Sequence, residues 1–312
     1  MRGPCGLGYL LARLSDTVAD AADAPVSLRR HWLDALRERF LSPDPGRDAD
    51  ALAVALAADL VPFVSLPAER ELLRRADAGL RLLGECPPEP RACLREVLDA
   101  ITRGQRQDLD HFGDASADRP RRLPDDAALV AYADDVAGSV GRFWTGIGFL
   151  ADPRFSRLPR DTMGELGTAY GRALQVVNIL RDLHEDLPRG RAYLPDDPVR
   201  TVPLWLDRAE AGLRDGVRYA ESLRGRRVRL ATVLPALLGA ATVRLLREHH
   251  PESLRRRIKV SRPEVASILR GAAWRTLAGT GYASAFRSRI QPKRSNGSGT
   301  AASKRSGSPE TG

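Results

Sequence analysis

Aromatic side chains are scarce in this sequence, at 5% of residues, and sulfur is scarcer still, with two methionines and three cysteines. Cys5, Cys86 and Cys93 form neither a metal-site spacing nor a disulfide framework, which predicts free thiols in a reducing compartment. No apolar run reads as a secretory signal or a bilayer span, so a cytoplasmic protein is expected. A recognised nucleic-acid module and a basic-aromatic pattern are also missing. The formal charge of +9 therefore points to other polyanions, such as diphosphates or anionic membrane surfaces, with no nucleic-acid partner expected.

What is abundant is Leu and Ala, punctuated by 22 Pro and 27 Gly that look like loop breaks rather than strand bounds. This pattern predicts an all-α protein, and 312 residues suffice for a large core. From about Ser288 onward apolar residues nearly vanish, so residues 288–312 are expected to be a disordered basic tail after a folded region of residues 1–287. A passive solvated tail is the plain reading. Contact with an anionic membrane is the functional one, which would place the protein peripherally at the inner membrane face.

One run organises the rest, GRALQVVNILRDLHEDLPRGRAYLPDD, residues 171–197. As a helix it puts Gln175, Asn178, Asp182 and Asp186 on one face at offsets of three, four and four. Val176, Val177, Ile179, Leu180 and Leu183 fill the remainder, so the helix reads as internal, and its polar stripe needs partners. Carboxylates and amide oxygens one turn apart suit Mg²⁺, which retains waters and completes its shell with substrate phosphates. Alone, such a pair is an ordinary solvated face. A second copy changes the weight: Asp16 and Asp20 lie one turn apart near the start, sharing a face with Tyr9 and Arg13.

Four ordered segments carry a resemblance to a known family: YLLARLSDTVAD, YADDVAGSVG, ALQVVNILRDLHEDLPRGRAYLP, and VRLATVLPALLGAATVRLL followed by RIKVSR. The chain resembles the squalene and phytoene synthases, which join two prenyl diphosphates head to head. The resemblance implies a single-domain isoprenoid-synthase-type helical bundle around a central cavity. It implies Mg²⁺ held by Asp16, Asp20, Asn178, Asp182 and Asp186, and diphosphate bound by Arg13, Gln175, Asn178, Arg181 and Arg191. Tyr9 and Tyr132 would border the reacting cation. Two farnesyl diphosphates are the expected donors, with squalene or dehydrosqualene as product; squalene would require NADPH. Phytoene formation from geranylgeranyl diphosphate is the alternative product. A relative acting as a binding or assembly protein without catalysis is the alternative class. The family also carries an earlier helix with a Ser-Arg-Ser-type segment, absent here, and a start assigned too late is the favoured expectation over the loss of one pocket wall.

Other segments fill in around these. Gln105 and Asp108, in TRGQRQDL, are expected to border the pocket, and Tyr193 its rim. Arg189 and Arg191, beyond Pro188 and Gly190, are expected over the aspartates, where guanidinium groups can clamp diphosphate oxygens. Ala137, Gly138 and Gly141 leave room for either an apolar chain or a neighbouring helix. Ser27 and Ser261 are expected as N-caps.

Overall fold

The computed structural model describes residues 1–249 and 257–291, and among these the chain is a helical bundle with a single two-residue ladder. Most of the expected basic tail lies outside the described residues. Its beginning does not: the helix Ala283–Ile290 occupies residues 288–290 and buries Ile290, so the folded region ends later than expected.

The N-terminal half is built on α1 (Arg2–Asp20), α2 (Val26–Leu41), α3 (Ala49–Leu60), α4 (Pro67–Arg74), α5 (Ala76–Glu85) and α6 (Pro88–Phe112). Their apolar stripes meet in one cluster that includes Leu11, Leu14, Leu36, Phe40, Leu80 and Leu98. Burying each such side chain contributes about 1.5–3 kcal/mol. Pro25, not Ser27, is the N-cap of α2; its ring fixes φ at −52°, and Ser27 lies inside the first turn. The backbone leaves the helical region at Arg75 (φ −107°, ψ 22°) and separates α4 from α5.

The connecting region consists of α7 (Asp126–Ala133), a π-helical turn over Asp134–Gly138, and α8 (Ser139–Ala151). The long helix α9 (Arg160–Asp186) follows, then α10 (Pro198–Ser222), α11 (Arg226–Glu248), α12 (Arg262–Ala278) and α13 (Ala283–Ile290). A second cluster, with Tyr170, Leu180, Trp205, Leu213, Leu237 and Tyr282, holds these together. Where α8 meets α9 the backbones touch. A Cβ on Gly141 would stand 2.0 Å from the Gly167 carbonyl oxygen, so only glycine permits the approach.

Helix α11 is long and apolar enough to cross a bilayer, a correction to the expectation that no run is. Its Val233, Ala236, Leu237, Ala240, Ala241 and Val243 are buried in the second cluster, which makes it a core helix here. Ser261 caps α12, its hydroxyl accepting from the Glu264 amide at 3.4 Å.

Candidate active site

The C-terminal ends of α1 and α9 are linked through the C-terminal end of α6, whose Asp108 interacts electrostatically with Asp20 of α1 and Asp186 of α9. Asp16, in α1, accepts a 2.5 Å hydrogen bond from Gln105 Nε2 of α6, while Gln105 Oε1 is buried without a protein partner. Three residues further along α6, Asp108 Oδ1 accepts a 2.6 Å hydrogen bond from the Tyr193 hydroxyl. Tyr193 stacks on Tyr132 at 5.3 Å between centroids and packs against Phe112 at 4.8 Å.

Arg191 is the hub of this junction. Burial raises the pKa of Asp20, Asp108 and Asp186, and the charge of Arg191 pulls against that rise at all three; it also acts on the guanidinium of Arg29. Local backbone geometry puts it there. After α9 a 3₁₀ turn, Leu187–Arg189, ends at Gly190 in the left-handed region (φ 76°), where a Cβ would collide with the Ser116 carbonyl oxygen at 2.0 Å. The next two residues, Arg191–Ala192 (β2), pair in parallel with Arg121–Arg122 (β1), Arg121 opposite Arg191. This short ladder ties the loop after α6 to the loop after α9.

The carboxylates are under-compensated. Burial pushes the pKa of Asp16 up, with help from Asp20, and burial likewise raises Asp20 and Asp108. Asp186 is raised to about 6, chiefly by burial and then by the negative charges of Asp182 and Asp108, against the pull of Arg191 and Arg189. Burial, followed by the neighbouring carboxylates, keeps the Tyr132 phenol protonated far above its ordinary range; burial and the charge of Asp108 also keep Tyr193 protonated. These phenols can donate hydrogen bonds and present π faces, but neither is a base. A divalent cation fits such a place: the donors are all oxygens, and each positive charge relieves repulsion the protein leaves standing. Among the described residues no three His, Cys, Asp or Glu side chains converge to hold a metal ion, so a Mg²⁺ ion here would take much of its shell from water and phosphate.

The other expected residues are placed as follows. Asp182 is held in a fork by its neighbour Arg181 (2.8 and 2.6 Å), and the pair lines a cleft of about 400 Å³ shared with Arg257 and Lys259. Gln175 and Asn178 are half-buried on the same stripe of α9. Arg13 is engaged by Glu69 of α4. Tyr9 stands 69% exposed on α1, without an enclosing wall. One residue was missed entirely: Arg29 of α2, 4% exposed, donates to the Ala19 carbonyl at 3.0 Å and faces Asp20 and Asp108.

Further towards the start of α9 lies an apolar cavity of about 320 Å³. Ala137, Gly141, Gly167, Gly171 and Leu174 form its wall on the α8–α9 side, and Thr232 and Pro235 of α11 its opposite side. Both uses of the small residues are therefore realised: close helix contact, and space along the contact. The indole Nε1 of Trp144 and the Thr232 hydroxyl, on the wall, have no protein partner. Along α9, Gly171 and Asp182 are separated by roughly 17 Å of helix rise, so one helix carries both the apolar wall and the carboxylates. A larger cleft of about 550 Å³ lies between α6, α8 and the start of α9, where Arg142, Arg160 and Arg172 are matched by Glu96, Asp161 and Glu165. Its balanced charge gives no preference for a polyanion.

Comparison with known proteins gives the chain's relatives. The pattern described as squalene/phytoene synthase matches residues 1–204. A presqualene diphosphate synthase of Zymomonas mobilis subsp. mobilis is 30% identical over 208 residues, covering 66% of this chain and 56% of that protein. A phytoene synthase of Thermus thermophilus is 38% identical over 96 residues, 30% of this chain and 29% of that protein. The chain thus spans about half or less of these relatives' lengths. Among solved structures, a TcSQS–ligand complex superposes with a TM-score of 0.65 at 19% identity, covering 93% of this chain and 84% of that one. A dehydrosqualene synthase in complex with ligand gives 0.56 at 18%, covering 89% of each chain. At these identities the likeness is one of fold, and the fold is all-α.

Proposed function

The chain belongs to the squalene/phytoene synthase family, and from that premise we propose that it condenses two prenyl diphosphates head to head. The observation that carries this reading is the clustering of Asp20, Asp108 and Asp186 around Arg191 at the end of α9, with an apolar cavity further back along the same helix. An acidic and cationic rim suits a metal-bound diphosphate, and an apolar cavity suits its hydrocarbon tail.

Farnesyl diphosphate is the proposed donor in both positions. One molecule loses its diphosphate as an allylic cation, which alkylates the double bond of the second; loss of a proton closes a cyclopropyl diphosphate. The relatives named presqualene diphosphate synthase favour this first stage. Mg²⁺, held by Asp16, Asp20, Asn178, Asp182 and Asp186, would supply the Lewis acidity that makes diphosphate a leaving group. Arg191 binds the departing oxygens, with Arg29 behind it. Tyr132 and Tyr193, kept neutral, present π faces towards the developing cation. The cavity walls keep water from it. The proton lost on ring closure passes to the released diphosphate, since neither phenol is a base. Processing to dehydrosqualene, or to squalene with NADPH, would be a second stage at the same site.

The deciding test is incubation with farnesyl or geranylgeranyl diphosphate and Mg²⁺, with and without NADPH, followed by mass spectrometry. A C30 product lost in Asp186→Ala supports the reading. A C40 product replaces farnesyl by geranylgeranyl as donor, and the absence of any diphosphate release makes the chain a non-catalytic relative.

A further inference from the structure

The outer face of α12 is built unlike a solvated surface. Pro263, Arg270, Trp274 and Leu277 follow one another at spacings of seven, four and three, and so share one side of the helix. Trp274 is 71% exposed and Leu277 69%, with Leu269 at 44% beside them. Of the four tryptophans in the chain, Trp32 and Trp205 are buried and Trp144 half-buried; Trp274 alone stands open. The polar residues interleaved with this patch, Arg262 and Arg270, are exposed and have no ion-pair partner among the described residues. The one acid of α12, Glu264, is turned inward onto Arg244 at 3.0 Å. Within residues 257–291 seven cations stand against that single anion.

An exposed tryptophan and leucine among unpaired arginines, with no outward carboxylate, match the chemistry of a bilayer's interfacial zone: apolar rings at the headgroup boundary and guanidinium groups on lipid phosphates. A soluble protein partner recognised by the same face would have to present both an apolar patch and strong acidity, whereas an anionic bilayer supplies both at once. We infer that α12 seats this protein on an anionic lipid surface, Trp274 and Leu277 entering the headgroup region while Arg262 and Arg270 engage phosphates. Helix α12 packs on α11, whose Thr232 and Pro235 line the apolar cavity, so a single helix separates the lipid-facing surface from the cavity. Docking is independent of the reaction and is read on lipid alone.

The test uses the full chain with vesicles of phosphatidylcholine, with and without 30–40% (roughly) phosphatidylglycerol, in sedimentation and tryptophan fluorescence. Binding is expected only to the anionic vesicles, with a blue-shifted emission and quenching by brominated lipid, since Trp274 is the exposed indole. Partitioning should fall at least about tenfold in Trp274→Ala/Leu277→Ala, and roughly fivefold for each of Arg262→Gln and Arg270→Gln. All four positions are exposed, and circular dichroism checks that the variants keep their helices. Equal binding to neutral vesicles, no binding at all, or unchanged binding by the Trp274→Ala/Leu277→Ala variant overturns the inference. So does a wild-type dimer in light scattering that the same variant abolishes, which would make the face a contact between copies.

Discussion

Tyr193 donates a 2.6 Å hydrogen bond to Asp108, and this one contact joins two segments 85 residues apart, the end of α6 and the loop after α9. A buried carboxylate with a neutral donor is charge-assisted and worth more than an ordinary hydrogen bond. The bond therefore fixes the floor of the junction on which Arg191 and Asp186 are arranged.

Removing it should be measurable. Tyr193→Phe is expected to cost about 1.5–3 kcal/mol of stability, since it leaves the buried Asp108 carboxylate without its donor, and Asp108→Ala removes the acceptor. A double-mutant cycle by urea denaturation should give a coupling of about 1 kcal/mol or more. Strict additivity would mean that the two groups do not interact in solution.

Asp186 gives a pH prediction whose sign is fixed by the direction of its shift. Its folded pKa, about 6, is above the ordinary carboxylate value of 3.8, so the native state binds this proton more tightly than the unfolded chain. The resulting stabilisation is complete below pH of about 4 and is lost as pH rises through about 6. Metal-free protein should therefore lose melting temperature across this window relative to Asp186→Asn, and Mg²⁺ should restore the wild type more than the variant. Parallel curves for the two proteins would show that Asp186 is not strained.

The glycines of α8 and α9 differ in sign by position. Gly141→Ala drives a Cβ against a backbone oxygen and should destabilise by about 1–3 kcal/mol. Gly164 lies on α9 with nothing within 4 Å of a built Cβ, so Gly164→Ala should stabilise by up to about 1 kcal/mol through helix propensity. Thermal melts of the two variants decide the point, and a shift in the same direction for both would refute the close-contact account.

The helical periods made much of this visible in the sequence. Residues 175, 178, 182 and 186 fell on one face because α9 is regular to Asp186, and the small residues of YADDVAGSVG announced tight space without saying what filled it. What stayed hidden depends on partners far along the chain. Arg29 looks like any charge of an amphipathic helix; it becomes buried because α2 packs across the end of α1, where a carbonyl needs a donor. Arg121–Arg122 and Arg191–Ala192 gave no signal for the β1–β2 ladder, which forms only once α6 and α9 end side by side. The break at Arg75 lies inside a run of good helix formers and carries neither Gly nor Pro. The bidentate Arg181–Asp182 contact was equally illegible, since adjacent residues on an ideal helix point about 100° apart and meet only by bending long side chains.

That last pairing separates two arginines which the sequence alone treats alike. Arg181 spends its guanidinium on Asp182, whereas Arg191 faces Asp20, Asp108 and Asp186 together. If the site binds diphosphate as proposed, Arg191→Ala should lower kcat/KM by about 100–1,000-fold, the usual effect of losing one preorganised donor to developing charge. Arg181→Ala removes a neighbour of Asp182 and should cost about tenfold or less. The same order should hold for inorganic pyrophosphate with Mg²⁺ in calorimetry, where no chemistry intervenes. Equal losses from both substitutions would dissolve the distinction and spread diphosphate binding evenly along the rim, and a larger loss from Arg181→Ala would move the binding centre to the cleft shared with Arg257 and Lys259.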